Sequence, residues 1–240
     1  MTEKHSGFNA SCAKCALQTI CFANGLYETD LDRLDELVDR LPSISKGEYL
    51  YSAGDEFSCL YAIRAGIVKL ISFSEDETEV IHGFYLPGDI VGMEAMAYDA
   101  HEFYAVALDT TTVCALPYGQ LASLSSEVPH LNSQMFSLMS REIMSSRLHS
   151  TILTQKTAEQ RLADFILLMS TKYKSRGYEH RQFRLNILHR DVANFLNLTP
   201  ETVSRILGKF QKEALMTWKK KEVIIKNENG LRELANDSVE

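Results

Sequence analysis

The stretch His189-Arg-Asp-Val-Ala-Asn-Phe-Leu-Asn-Leu-Thr-Pro-Glu-Thr-Val-Ser-Arg-Ile-Leu-Gly-Lys-Phe-Gln-Lys212 reads as helix, tight turn, helix. Val192, Ala193 and Leu196 give the first helix an apolar face, and Asn197 can take the positive φ that a tight turn needs. Leu198 then points inward. Thr199 is a good N-cap, because its hydroxyl can accept from an unpaired N–H of the first turn, and Pro200 suits the next position, where no N–H is required. Val203, Ile206, Leu207 and Phe210 recur at helical spacing and predict the buried face of the second helix. Glu201, Thr202, Ser204, Arg205 and Lys209 are left outward. Polar and forked side chains at the start of a helix can meet base edges in a major groove.

Just beyond, Leu215-Met-Thr-Trp-Lys-Lys-Lys-Glu-Val-Ile-Ile225 predicts a small hairpin with Lys219, Lys220 and Lys221 at its tip, placed to lie on phosphates. An ordinary helical hairpin with solvated lysines is the competing reading; the capped second helix and the basic tip together favour double-stranded DNA. Charge points the same way. Residues 1–146 carry 8 Lys and Arg against 21 Asp and Glu, whereas Arg147 onward carries 17 against 11, within a chain of net charge −7. A net acidic protein can still bind nucleic acid through a locally basic part.

Upstream the pattern changes twice. Thr157-Ala-Glu-Gln160 is a capping-box signature that starts a helix carrying Leu162, Phe165, Ile166 and Met169 inward, and Gly177 is a natural left-handed stop. Before it, Met135, Met139, Ile143, Ser146, Ser150 and Leu153 fall on one narrow stripe of a long helix that begins past Pro129. Such a stripe either packs on its own domain or forms the seam of a dimer. From Glu48 to Tyr118, short alternating runs separated by Gly54-Asp55, Ala65-Gly66 and Pro87-Gly88-Asp89 predict a compact antiparallel barrel or β-roll. A short helix precedes it, with Thr29 capping Asp30 to Arg40 and Leu31, Leu34, Leu37, Val38 and Leu41 on one face.

The first 26 residues lack periodicity and predict a segment that needs something else to order it. Within it, Ser11-Cys-Ala-Lys-Cys-Ala-Leu-Gln-Thr-Ile-Cys21 holds three of the chain's five cysteines. Met1 to Ala10 has no secretory pattern, and no apolar run approaches the roughly 20 residues of a membrane span, so a cytoplasmic protein with reduced thiols is expected. Metal or redox chemistry then fits better than structural disulfides. The thiols alone leave a zinc site open as well as an iron–sulfur site, since both take four thiolates.

The order of β-roll, long helix and winged helix-turn-helix resembles the cAMP receptor protein superfamily of bacterial transcription regulators over nearly the whole chain. Leu60-Tyr-Ala-Ile-Arg-Ala-Gly66, Gly83-Phe-Tyr-Leu-Pro-Gly-Asp-Ile-Val-Gly92, Arg181-Gln-Phe-Arg-Leu185 and Glu201-Thr-Val-Ser-Arg-Ile-Leu-Gly208 look closest to its oxygen-responsive FNR branch. Two features separate that branch from cyclic-nucleotide binders. Ala100-His-Glu-Phe-Tyr104 lacks the Arg-Ser pair that holds a cyclic phosphate, and Glu102 would repel one, so no cyclic nucleotide is expected. Cys12-x2-Cys15-x5-Cys21 with the distant Cys114 matches the branch's ligand pattern.

The resemblance implies an α+β fold divided into a ligand segment (1–26), a sensor roll (27–126), a dimerisation helix (127–157) and a winged helix-turn-helix (158–240). It implies a 4Fe-4S cluster on Cys12, Cys15, Cys21 and Cys114, converted to 2Fe-2S after oxygen exposure, with Ile20 shielding it. Cys59 has no place in the pattern and reads as a core thiol, or less readily as a substitute ligand. The histidines His82, His101 and His130 are scattered and suggest no metal.

The branch's base-reading residues match Glu201, Ser204 and Arg205, implying TTGAT-type half-sites in an inverted repeat, with Thr199, Thr202 and Lys209 alongside. A homodimer through Met135, Met139, Ile143, Ser146, Ser150 and Leu153 is implied. So is an RNA polymerase contact at Glu75-Asp-Glu-Thr-Glu79. Relatives place an acidic residue where this chain has Ser146. Serine removes a carboxylate repulsion across the seam, so cluster-free protein is expected to dimerise more readily than in those relatives; sedimentation of clean monomer at micromolar concentration would count against this. No Ser/His/Asp grouping, phosphate loop or metallohydrolase motif is present, so an enzyme is not expected. The remaining alternatives are a regulator of the same fold sensing nitric oxide or thiol oxidation, and a zinc-stabilised helix-turn-helix protein without a sensory cluster.

Overall fold

The structure, a computed structural model, describes residues 11–236. Expectations about Met1 to Ala10, and about 237–240 at the end of the DNA-binding part, lie outside the described residues. The chain forms two compact units, 1–142 and 143–240.

The first unit opens with the cysteine segment, which contains a 3-10 turn at Cys12–Lys14, and continues with helix α1 (Glu28–Leu37). The strands follow: β1 (Asp39–Arg40), β2 (Tyr49–Tyr51), β3 (Cys59–Ala65), β4 (Val68–Phe73), β5 (Glu79–Tyr85), β6 (Ile90–Val91), β7 (Tyr104–Ala107) and β8 (Thr112–Pro117). Helices α2 (Tyr118–Glu127) and α3 (Pro129–Gln155) come next. The strands make two four-stranded antiparallel sheets, β1-β8-β3-β6 and β2-β7-β4-β5. This is the expected β-roll.

Strand β3 shows why the roll has two cores. Side chains alternate across a strand, so Leu60 and Ala62 face one way while Tyr61 and Ile63 face the other. Ile63 joins Tyr51, Val68, Leu70, Tyr85, Val91, Ala105 and Val113 between the two sheets. Leu60 and Ala62 join Leu31 and Leu34 of α1, Leu121 and Leu124 of α2, and Leu131 and Leu138 of α3 on the outer face. Phe22, Ala23 and Leu26 belong to that outer core too. The cysteine segment therefore buries apolar side chains of its own, a departure from the expectation drawn from its missing periodicity.

Thr29 does not cap α1. The N-cap is Tyr27, with no side-chain hydrogen bond, and Glu28 and Asp30 supply acidic charge to the first turn. The helix also stops at Leu37 rather than Arg40, because Asp39 and Arg40 pair with Ala115 and Cys114 as strand β1. Ladder hydrogen bonds available only in the folded roll override a local helical pattern that could have run on.

In the second unit, α4 (Ala158–Ser175) begins at the expected capping box: Gln160 N–H donates to Thr157 Oγ1 at 3.4 Å and Thr157 N–H donates to Gln160 Oε1 at 3.0 Å. Strands β9 (Gln182–Arg184), β10 (Met216–Lys219) and β11 (Glu222–Ile225) form a three-stranded sheet in the order β10-β11-β9. Helices α5 (His189–Phe195) and α6 (Pro200–Lys212) flank the turn, where Asn197 has φ 51°. Leu162, Phe165, Ile166, Val192, Leu196, Val203, Ile206, Phe210, Met216, Trp218 and Val223 are buried there. A further helix, α7 (Glu228–Ala235), escaped the sequence reading; Asn227 caps it by accepting from Gly230 N–H at 2.9 Å, and Leu231 and Ala235 are buried. No helix among the described residues is long and apolar enough to cross a membrane.

Candidate metal centre and nucleic-acid interface

Register in the roll decides which cysteines can meet. On β8, Cys114 pairs with Arg40 of β1 and Ala62 of β3, so it shares a face with Ala62 and the outer core. Cys12, Cys21 and Cys114 all pack against that core. Cys15 lies within electrostatic reach of both Cys21 and Cys114. Cys59 pairs with Pro117, three residues before Ala62 on the same strand. An odd step puts its side chain on the opposite face, beside Tyr61 and away from Cys114. It is half-buried there, where the sequence reading expected a core thiol.

The segment carrying three of the thiols is tied down at several points. Cys12 N–H donates to Asp35 Oδ1 at 2.7 Å, and Arg40 pairs with the same carboxylate. Burial pulls Asp35 upward, but hydrogen bonds from the Cys12 backbone and thiol and from Arg40 outweigh it and hold the carboxyl below its ordinary value. Leu17 is buried. Ile20 lies on the turn between β5 and β6, where Gly88 has φ 93° and a Cβ would come within 2.5 Å of Ile20 Cδ1. Only a residue without a side chain both adopts that φ readily and lets isoleucine rest on the main chain.

All five thiols are free. Burial raises Cys12, with Asp35 adding to the effect, and pushes Cys21 up to about 11. Cys114 is also raised by burial, against the opposing pull of Arg40 and Arg64. Among the described residues no three Cys, His, Asp or Glu side chains already converge as ligands. The donor set nevertheless suits a cluster: Cys12, Cys21 and Cys114 pack against one core and Cys15 lies within electrostatic reach of the latter two, three soft thiols from one short segment and one from a strand. Holding a metal there would release the thiol protons that burial otherwise retains.

The interface for nucleic acid is built by α6 and the hairpin. Glu201, Ser204 and Arg205 are exposed, and Arg205 has no ion-pair partner among the described residues. Thr199 Oγ1 accepts from Thr202 N–H at 3.2 Å and its hydroxyl also bonds Thr202 Oγ1, so Thr199 serves first as the cap. Lys209 is drawn back to Glu159 of α4 at 2.6 Å, leaving Arg205 the more available cation of α6. Lys219, Lys220 and Lys221 are exposed at the hairpin tip, with Lys220 at φ 57°.

The stripe on α3 divides. Met135 packs against the roll's outer core beside buried Leu131 and Leu138, and Met139 and Leu153 are half-buried. Ile143, Ser146 and Ser150 are exposed. The sequence reading missed Phe136, Met144 and Leu148, which expose 63%, 50% and 57% of their surface on this helix. Exposure of apolar residues in excess of the stripe is the signal that only the structure supplies.

The stretch Ala100 to Tyr104 also differs in detail from expectation. Glu102 is exposed, whereas His101 is buried and stacked on Tyr51 with ring centroids 3.7 Å apart. The carboxylate nearest these rings is Glu94, which accepts from Tyr51 Oη at 3.0 Å and stands 3.5 Å from His101 Nδ1. In the acidic turn, Glu75, Asp76 and Glu77 are exposed and Glu79 pairs with Lys69.

A β-roll followed by a winged helix-turn-helix defines a transcription regulator of the CRP type. The cyclic nucleotide-binding domain family matches residues 41–127 and the Crp-like helix-turn-helix domain family matches residues 160–234. The fumarate and nitrate reduction regulatory protein of Vibrio cholerae is 42% identical over 229 residues, covering 95% of this chain and 92% of the relative. That of Escherichia coli K12 is 42% identical over 224 residues, covering 93% and 90%. Among solved structures, FixK2 from Bradyrhizobium japonicum superposes with a TM-score of 0.76 at 24% identity, covering 84% of this chain and 99% of that one, which bears on the fold. The chain belongs to the family of fumarate and nitrate reduction regulatory proteins, and it is a regulator with a DNA-binding helix-turn-helix rather than an enzyme.

Proposed function

We propose that the protein is a cytoplasmic, oxygen-responsive anaerobic regulator that holds a 4Fe-4S cluster on Cys12, Cys15, Cys21 and Cys114. In this reading it binds inverted TTGAT-type repeats as a homodimer while the cluster is intact. The observation that supports it is that Cys12, Cys21 and Cys114 pack against the same outer core, with Cys15 in electrostatic reach of Cys21 and Cys114 and Cys59 on the opposite strand face. A bound cluster would supply an oxygen-labile centre that passes to a 2Fe-2S form in air.

The chain's own residues do the rest. Asp35 and Arg40 hold the Cys12 end, and Ile20 on Gly88 covers the Cys21 end with apolar surface. Glu201, Ser204 and Arg205 read bases, Arg205 by hydrogen bonds to a guanine, while the hairpin lysines bind phosphate. The exposed apolar face of α3 around Ile143 and Ser146 supports the dimer seam. The exposed Glu75, Asp76 and Glu77 support the polymerase contact.

The test is iron and acid-labile sulfide per protomer in anaerobically purified protein, with DNA affinity and oligomeric state measured before and after air. About four of each, with DNA binding that fades in air, is expected. Zinc in place of iron, or DNA binding indifferent to air, would overturn the reading.

A further inference from the structure

Among the described residues, the cysteine segment touches the long helix through one polar contact. His130, in the first turn of α3, places Nε2 3.1 Å from the carbonyl oxygen of Asn24. A carbonyl only accepts, so this contact is a hydrogen bond in the tautomer that carries the proton on Nε2. The Gln134 amide nitrogen, itself a donor, stands 3.3 Å from the same ring nitrogen one helical turn on and bonds to it only in the other tautomer. Asn24 is itself bound to a cysteine of the candidate centre, because its N–H donates to the Cys21 carbonyl at 3.0 Å. Two hydrogen bonds in series therefore join Cys21 to the start of α3.

Gly25 is shaped for this contact. Its φ is 73°, and a Cβ would come within 2.5 Å of His130 Nε2. The imidazole lies on bare backbone, where any other residue would be strained and would push it away. Around this polar link, Phe22, Ala23 and Leu26 share a core with Leu131 and Leu138 of α3, so a shift of the segment and a shift of the helix start cannot be independent.

We infer that His130 is the positioning residue through which the cysteine segment sets the start of α3, so that the state of the centre reaches the helix that carries the dimer face. This rests on the proposed cluster and deepens it. Fixing Cys21 fixes Asn24, and with it the acceptor that His130 needs; freeing Cys21 releases both. The coupling operates because one arrangement of the helix start is favoured only while that acceptor is held.

The test uses full-length protein purified anaerobically. His130→Ala should load iron and sulfide as the parent does. The ratio of its DNA affinities before and after air should shrink by about 2- to 30-fold, the range for a residue on a coupling route. His130→Gln, which keeps an N–H at similar reach, should restore much of the response. A His130→Ala protein that loads iron and responds to air as fully as the parent would overturn the inference while leaving the proposed function intact. A parent without iron would overturn both.

A measurement on the parent alone guards against a variant that fails to fold. Removing iron with a chelator should speed amide exchange in residues 129–136 together with residues 22–26. Unchanged exchange in 129–136 would overturn the inference.

Discussion

In the helix-turn-helix, every residue that sets the geometry lies between His189 and Lys212: the Asn197 turn, the Thr199 cap and the buried face of Val203, Ile206, Leu207 and Phe210. The cysteine centre draws on Cys12, Cys21, Asp35, Arg40, Gly88 and Cys114, brought together by register and packing from five separate stretches of chain. One site forms once a short hairpin of helices folds. The other exists only if the whole roll is in place. A site of the first kind tolerates the loss of any single group, because four buried apolar side chains at about 1.5–3 kcal/mol each outweigh one cap of about 1 kcal/mol. A site of the second kind fails when a distant ligand is lost, which makes it suited to being switched.

The contrast predicts its largest effect at Cys114. Cys114→Ser should abolish iron retention under anaerobic conditions, while Cys59→Ser should leave iron content unchanged, since its side chain faces away. Iron retained by the first variant, or lost from the second, would break the proposed division between the two faces of the roll. Next comes Arg205→Ala, expected to weaken binding to an inverted TTGAT repeat by about 1–3 kcal/mol and to relax specificity at one base. Equal loss on unrelated DNA would show that Arg205 contacts only phosphate.

Smaller still is Thr199→Ala, which should cost about 1 kcal/mol of stability in the second unit without unfolding it. The single tryptophan, Trp218, is buried there, so its fluorescence during urea denaturation of the full chain reports this unit. The smallest effect is a pH dependence. His189 lies edge-on to Trp218 with a ring-centroid separation of 4.8 Å, and burial holds its pKa below the ordinary 6.5. A depressed histidine binds fewer protons folded than unfolded. Stability of this unit is therefore full above about pH 6.5 and declines as pH falls from there toward the folded value, a slope that His189→Gln should remove.

Capping illustrates how far local sequence reaches. Thr157 and Thr199 are caps as their contexts predict, each with its hydroxyl bonded to the backbone N–H three residues on. Thr29 looked equally suitable, yet α1 begins two residues earlier and ends three residues sooner than its pattern suggests. Beyond Thr29, strand pairing with β8 takes Asp39 and Arg40 out of the helix. Helix α7 was hidden for a similar reason. Its eight residues make a weak periodic signal, and its buried Leu231 and Ala235 are recognisable as a face only in the folded unit.

From the sequence alone came the order of the domains, the helix-turn-helix with its cap and turn, the basic hairpin, and the spacing of Cys12, Cys15, Cys21 and Cys114. Periodicity and backbone preference are properties of neighbouring residues, so they can be read without a fold. Only the tertiary structure decided that Cys59 turns away from Cys114, that Ile20 rests on Gly88, and that His130 meets Asn24 over Gly25. Those are consequences of strand register and of close packing between stretches far apart in the chain, which no local pattern encodes.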